Sequence, residues 1–361
     1  MKIKNLSIRN YKRFATTKEL NFCDENGQPN DMILIVGNNG SGKTSVLQAI
    51  AALVGSATKP HFSPADLDWL GYDYAYIQSG RMPLTIKANI AFSEEERAAT
   101  IEYAKQLADF SSRSIGRPSQ LPEIEIHLEY DQRKVKSRTL ANLYQMSGYQ
   151  YALQLKPFVP NFSQLFERVG SIYWYNEQRT STSALPFPID KDVENGNGNG
   201  KLKFENKDLR ELLSKLYRFH ERLKQGTYQL REGQMDYYER LSDTYTRIFR
   251  RRKFEGPSPK MDIAKIFEEE DFWLSDGQTN YEINGMSAGE RAIFPILLDF
   301  ASWNINNSII LIDEIELHLH PPLQQELLRA LPLLGKNNQF IITSHSDDIV
   351  STFPNSQIIR L

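Results

Sequence analysis

The sequence predicts an α/β fold, on three observations. Three runs of strand length with apolar centres, residues 32–36, 308–312 and 339–343, each give way at once to glycine, acid or polar residues. Continuous apolar runs of that length suit strands buried on both faces. The first leads into Gly37-Asn38-Asn39-Gly40-Ser41-Gly42-Lys43-Thr44, and from Lys43 the apolar positions Val46, Leu47, Ile50, Ala51 and Val54 recur at helical spacing. Strand, glycine-rich loop and helix, in that order, are the setting in which a phosphate-binding loop works. The glycines let backbone N–H groups turn onto the phosphates, and the helix N-terminus adds the positive end of its dipole. Lys43 is placed to reach the β- and γ-phosphates of a nucleoside triphosphate, Thr44 to hold Mg2+, and Ser45 beside it to line the nucleotide site. A flexible Gly/Asn turn is the alternative for the loop alone, and the flanking strand and helix argue against it.

The second run ends in Asp313-Glu314. Adjacent carboxylates at a strand end suit a magnesium nucleotide: Asp313 orients the cation through water, and Glu314 accepts a proton from the attacking water. The third run delivers Ser344 and His345 to the same edge, where a histidine can hydrogen-bond the γ-phosphate.

Between loop and acid pair lies Asn284–Arg291, followed by a mostly apolar helical run from Ala292 to Trp303. The loop at 37–44, MSAGER at 286–291, ILIDEIELHLHP at 310–321 and TSHS at 343–346, in that order, resemble an ABC-type ATPase head of the SMC, RecF and overcoming-lysogenisation (OLD) group. The resemblance covers residues 1–55 and 275–361 firmly and the middle loosely. It implies an ABC-type P-loop ATPase head: a mixed sheet around the loop helix, an antiparallel N-terminal edge layer and an inserted helical lobe. It also implies hydrolysis of ATP with Mg2+, and a homodimer that sandwiches nucleotide, with Ser287 and Gly289 of one copy capping the γ-phosphate in the loop of the other. Ala288 and Glu290 stand where the transporter signature has glycine and glutamine. Taken alone, Ser-x-Gly-Glu reads equally as a helix N-cap. His318 and His320 fall in the family's interface-crossing segment after the acid pair, a better reading than a metal pair, since no cluster elsewhere completes such a site. Asp347-Asp348 read as caps of a helix starting near Ile349 rather than as catalytic acids. A transporter subunit is disfavoured by the 244 residues between Lys43 and Ser287.

IRNYKRF at 8–14 resembles the family's link between its first two strands, so Arg13 is a candidate nucleotide contact; a solvated turn charge is the other reading. Residues 2–11 alternate apolar and polar, and 19–22 with 32–36 supply further strands of the antiparallel edge layer. Residues 83–92 and 123–130 also alternate, with a charged helical stretch at 93–110 between them. Ile172–Tyr175 is a further strand, after which Gln178 is the candidate to complete the Mg2+ and water shell, with Arg179 as runner-up.

At 361 residues and 40% hydrophobic content the chain suits one large or two ordinary domains. The Asn/Gly repeat at 194–200 reads as a flexible linker between the N-terminal part of the head, 1–193, and a basic helical lobe, 201–270; residues 271–361 complete the head. In the lobe, Leu209, Leu212, Leu213, Leu216 and Leu223 form one stripe, and Met235, Tyr238, Leu241, Tyr245, Ile248 and Phe249 another, with no long heptad run. The net charge of −2 is unevenly spread: residues 201–260 hold 16 Lys+Arg against 9 Asp+Glu, a net of +7, leaving −9 for the rest. Arg247, Arg250, Arg251, Arg252 and Lys253 are the densest part. Such a cluster neutralises the phosphates of DNA or RNA, but a dock for an acidic protein or a solvated face looks the same.

A single cysteine, Cys23, points to a reducing compartment, and no run approaches a membrane span, so a cytoplasmic protein without membrane contact is expected. With 16 residues after His345, no appended nuclease domain is expected, and a nuclease or other effector would be a separate partner. The resemblance suggests a switch controlling a DNA-directed or toxin-like effector, in prokaryotic anti-phage defence or DNA maintenance. The alternative is an ATP-dependent scaffold for a protein partner, without nucleic acid.

Overall fold

The computed structural model describes residues 1–58, 84–110, 116–129, 136–159, 162–175, 181–183, 206–230, 236–259, 270–303 and 305–361. The antiparallel pair β1 (Lys2–Arg9) and β2 (Lys18–Asn21) is followed by β3 (Met32–Val36), which feeds α1 (Lys43–Thr58). Next come β4 (Thr85–Ala91), α2 (Glu94–Phe110), β5 (Glu123–Glu129), β6 (Lys136–Ser137) and three short helices, α3 (Leu140–Gln145), α4 (Gly148–Leu155) and α5 (Phe162–Glu167). Then β7 (Ile172–Tyr175) and β8 (Ser181–Ser183) precede α6 (Asn206–Lys224) and α7 (Tyr237–Ile248), and β9 (Lys253–Pro259), β10 (Glu270–Ser275) and β11 (Asn280–Glu282) follow these helices. The chain continues through α8 (Ala288–Trp303), β12 (Ile309–Ile312), α9 (Pro321–Ala330), β13 (Gln339–Ser344), α10 (Asp347–Val350) and β14 (Ile358–Arg360).

The central sheet has the order β14-β3-β13-β12-β7-β8, parallel throughout except for β8. Its side chains divide by parity, as a pleated strand requires. Ile33, Ile35, Ile172, Trp174, Ile309, Leu311 and Ile341 face one core, with α1 and the antiparallel sheet β2-β1-β4-β5-β6. Leu34, Val36, Tyr173, Tyr175, Ile310, Ile312, Phe340 and Ile342 face the other, with the helical side. Helix α1 therefore lies between two sheets, and its residues from Val46 to Thr58 are all buried. The antiparallel sheet turns Ile8, Ile86, Ala88, Ile90, Ile126 and Leu128 inward and keeps Ser7, Arg9, Lys87 and Asn89 on its outer face. A register shift between Ile3 and Asn5 lets Ile3 and Leu6, three apart, share that inner face.

Two expectations are corrected here. Residues 32–36 do not join the antiparallel layer: β3 pairs in parallel with β13 and β14, because an all-apolar strand has no face to give to solvent. Among the described residues of the segment 201–270 the helices are α6 and α7, and Lys253–Pro259 is instead a strand of the small antiparallel sheet β11-β10-β9. Its sequence, KFEGPSP, carries no apolar alternation. Leu209, Leu213, Tyr238, Leu241, Tyr245, Ile248 and Phe249 all lie in the same core as the lower face of the central sheet, so both helices are built onto the head. The linker 194–200 and Met235 lie outside the described residues. Among the described residues no helix is long and apolar enough to cross a membrane.

Leu53, fully buried on α1 between the sheets, tests this layering. Leu53→Ala is expected to lower stability by about 2–5 kcal/mol, read as a shift in the denaturant midpoint. A shift under half a kilocalorie would mean that α1 is not enclosed on both sides.

Candidate nucleotide site

The parallel strands bring the candidate chemistry to one edge. Val36 pairs with Ser344 and Ile312 with Ile342, so the residues after each strand emerge side by side at the carboxyl ends, where open α/β sheets place their ligands. After β3 the chain forms the glycine loop. Gly40 (φ 76°) and Gly42 (φ 107°) have left-handed backbone, and a Cβ on Gly42 would stand 2.9 Å from the Phe14 ring. The Lys43 ammonium is folded into the loop, donating to the carbonyls of Gly37 at 2.9 Å and Asn38 at 3.3 Å, and is 6% exposed. Asn38, Asn39 and Gly40 are exposed, and Thr44 and Ser45 are half-buried in the first turn of α1. Arg13, on the turn after β1, donates from Nη1 to the Gly40 carbonyl, which brings a cation to the loop.

Asp313 and Glu314 follow β12. The Thr343 hydroxyl organises both: it donates to Asp313 Oδ1 at 2.5 Å and accepts the Glu314 N–H at 2.8 Å. The Asp313 N–H donates to the Tyr175 carbonyl at 2.9 Å, tying the acid to the end of β7 as well. Asp313 is 3% exposed, whereas Glu314 is half-exposed with φ 46°, a left-handed conformation that a non-glycine residue adopts at a cost and keeps only when its surroundings impose it.

His345 is held by a residue that motif reasoning passed over. Glu316, almost fully buried, accepts the His345 N–H at 2.7 Å, and the same Oε1 lies 2.8 Å from the ring Nδ1. The ring is half-exposed, with Nδ1 occupied, which leaves Nε2 as the atom for a ligand. The available signal was an acid two residues beyond Glu314. Asp347 and Asp348 form the first turn of α10 rather than capping a later helix; Ser346 is the N-cap residue. Gln178 and Arg179 lie outside the described residues. His318 and His320 are exposed, and among the described residues no three His, Cys, Asp or Glu side chains gather to hold a metal. The oxygen donors of Thr44 and Asp313 do suit Mg2+, which takes one or two protein oxygens alongside nucleotide phosphates.

Ser287 and Glu290 form a reciprocal cap at the start of α8. Ser287 Oγ accepts the Glu290 N–H at 3.2 Å, and Glu290 Oε2 accepts the Ser287 N–H at 2.8 Å. Ser287 is exposed. Gly289 is buried beneath it, where a Cβ would stand 2.9 Å from Leu323 Cδ2 and 3.3 Å from the His318 carbonyl. Of the basic run, Arg247, Arg250 and Arg251 are exposed. Arg252 turns inward to Glu290 at 2.5 Å over the Phe249 ring, and Lys253 pairs with Glu255 at 2.9 Å, so the five cations are not one free patch.

The model of the AAA ATPase domain (AAA_15) matches residues 1–350. The chain belongs to this AAA ATPase family. It is 24% identical to the retron Ec83 probable ATPase of Escherichia coli over 99% of this chain and 71% of that protein. A shorter match, 34% over 87 residues, links it to the retron Vc95 probable ATPase of Vibrio cholerae serotype O1 biovar El Tor, covering 21% of this chain and 17% of that one. Among solved structures, an SMC head bound to the C-winged helix domain of ScpA superposes with a TM-score of 0.50 at 15% identity, covering 97% of this chain and 91% of that one. The fold is that of an SMC- and RecF-like ABC-type ATPase head, and ATP is the ligand that membership of the AAA ATPase family implies.

Glu316→Ala removes the acceptor that fixes both the ring and the backbone of His345. Losing a charge-assisted hydrogen bond at this position is expected to lower the steady-state ATPase rate about ten- to a hundredfold while leaving ATP affinity nearly unchanged. An unaltered rate would mean that His345 needs no such support.

Proposed function

We propose that the protein binds Mg-ATP at Gly37–Thr44 and hydrolyses it, with Glu314 as general base, in a homodimer that sandwiches the nucleotide. The observation that carries this reading is the Thr343 hydroxyl, which holds Asp313 and Glu314 together at the strand end next to the loop. Lys43 neutralises the phosphates, with Arg13 approaching from the loop's outer side. Asp313 and Thr44 would hold Mg2+, which when bound offsets the charge on the transferring phosphoryl group. Glu314 takes the proton of the attacking water, and His345 Nε2 contacts the γ-phosphate. Ser287, exposed at the start of a 16-residue helix, closes over the neighbouring copy's γ-phosphate. Gly289 supports it from below by admitting the segment after the acid pair.

In this reading the ATP-driven dimer controls a separate effector, DNA-directed or toxin-like, in anti-phage defence or DNA maintenance. The similarity to retron ATPases supports that setting. A second reading, a scaffold for a protein partner without nucleic acid, is favoured by the pairing of Arg252 and Lys253 with acids.

Glu314→Gln should bind ATP, lose turnover about 10²–10⁴-fold, and dimerise with ATP but not with ADP in light scattering. Ser287→Arg should block that dimer while leaving nucleotide binding in its own loop intact. A Glu314→Gln protein that stays monomeric with ATP at micromolar concentration would sink the sandwich.

Reversing Arg247, Arg250 and Arg251 to Glu decides between the two readings. If DNA binds there, affinity should fall for every sequence, and the slope against log salt should shrink by about 0.9 for each phosphate no longer neutralised. Unchanged DNA affinity and slope favour the protein-partner scaffold.

A further inference from the structure

The densest basic run in the sequence contains one arginine that does not face outward, and its destination is informative. Arg252 reaches the carboxylate of Glu290, which is 1% exposed. The same oxygen, Oε1, accepts the hydroxyls of Tyr245 at 2.7 Å and Tyr281 at 2.6 Å. The other oxygen, Oε2, holds the Ser287 N–H at 2.8 Å. One rigid carboxylate therefore has α7, the turn after it and β11 on one oxygen, and the exposed serine of α8 on the other. Burial alone would push its acidity down; the donors from Arg252, Tyr281, Tyr245 and Ser287 outweigh that and hold the carboxyl below its usual range, so it is a charged group. Arg250 and Arg251, next to Arg252 in the chain, are exposed.

We propose that Glu290 is a positioning residue that couples the basic turn at Arg250–Lys253 to the Ser287 cap. Displacement of Arg252 or Tyr245 moves Oε1, and because the carboxylate is planar and covalently rigid, Oε2 and the Ser287 N–H move with it. A displacement of Arg252 thus acts on the surface that closes over the neighbouring copy's nucleotide. The inference rests on the trans-capping reading of Ser287.

The test uses the full chain in the Glu314→Gln background and measures two quantities for each variant: affinity for a fluorescent ATP analogue in the monomer, and the ATP-dependent dimerisation constant. Tyr281→Phe and Arg252→Met each remove one donor and keep the bulk, and Arg252→Lys is the conservative variant. Arg252→Met is expected to weaken dimerisation about tenfold with monomer affinity within about twofold; Tyr281→Phe should act in the same direction, and Arg252→Lys should recover part of the loss. A fall in melting temperature with no change in the dimerisation constant, or an equal fall in both binding constants, would overturn the coupling. Ser287→Arg separates the two levels. If it dimerises normally, trans-capping itself fails; if it blocks the dimer while Arg252→Met and Tyr281→Phe leave it unchanged, only the coupling through Glu290 fails.

Discussion

Parallel strands can pair side by side only if something covers both of their faces, and that requirement organises this head. β3, β12, β13 and β7 are buried on both sides, so each contributes alternate residues to two separate cores. The upper core encloses α1 beneath the antiparallel sheet, which fixes the axis of the helix that follows the glycine loop. The lower core carries α6 to α9, and with them the start of α8. Because the strands are parallel and in register, the loop, the acid pair and His345 all leave the sheet at the same edge. The convergence of groups so far apart in the chain needs no further device.

What the sequence made legible follows from this. An all-apolar strand and a glycine loop announce themselves, since neither tolerates much substitution, and the loop, β12 with its acids, and β13 with His345 were all readable from the residues alone. The antiparallel layer was readable too, through alternation. The misplacement of β3 arose from reading chain neighbours as sheet neighbours, whereas its partners, β13 and β14, lie some three hundred residues away. β9 was hidden because Gly256, Pro257 and Pro259 erase the pattern that marks a strand. Glu316 and Glu290 were hidden for another reason: a buried carboxylate is written with the same letter as a solvated one, and only its donors distinguish them.

Those donors show three ways of keeping an acid inside the protein. The Asp313 carboxylate accepts the Thr343 hydroxyl at the strand end, which suits it to a cation shared with phosphate. Glu316 receives the backbone N–H of His345, and the ring Nδ1 lies against the same oxygen, so it serves to aim another side chain. Glu290 takes donors from Arg252, Tyr245, Tyr281 and Ser287 on its two oxygens. A buried charge with that many partners is costly to disturb, because removing one leaves the rest of the pairing uncompensated. Such a group holds its neighbours in fixed relation instead of reacting.

The two halves of the proposed nucleotide sandwich also meet inside a single copy. Gly289 packs against Leu319, Leu323 and the His318 carbonyl, residues that follow the acid pair by only a few positions. A Cβ there would stand 2.9 Å from Leu323 Cδ2 and 3.3 Å from the His318 carbonyl, so any larger residue would require both to give way. The surface that would cap the neighbour's γ-phosphate therefore rests directly on the segment leading away from Glu314. A change at Glu314, whose backbone is left-handed and whose N–H is held by the Thr343 hydroxyl, has a short packed route to Ser287. Coupling through contiguous packing of this kind needs two arrangements of the intervening segment. The stretch from Ile315 to His320, a run of turns between β12 and α9, is the segment through which such coupling would pass.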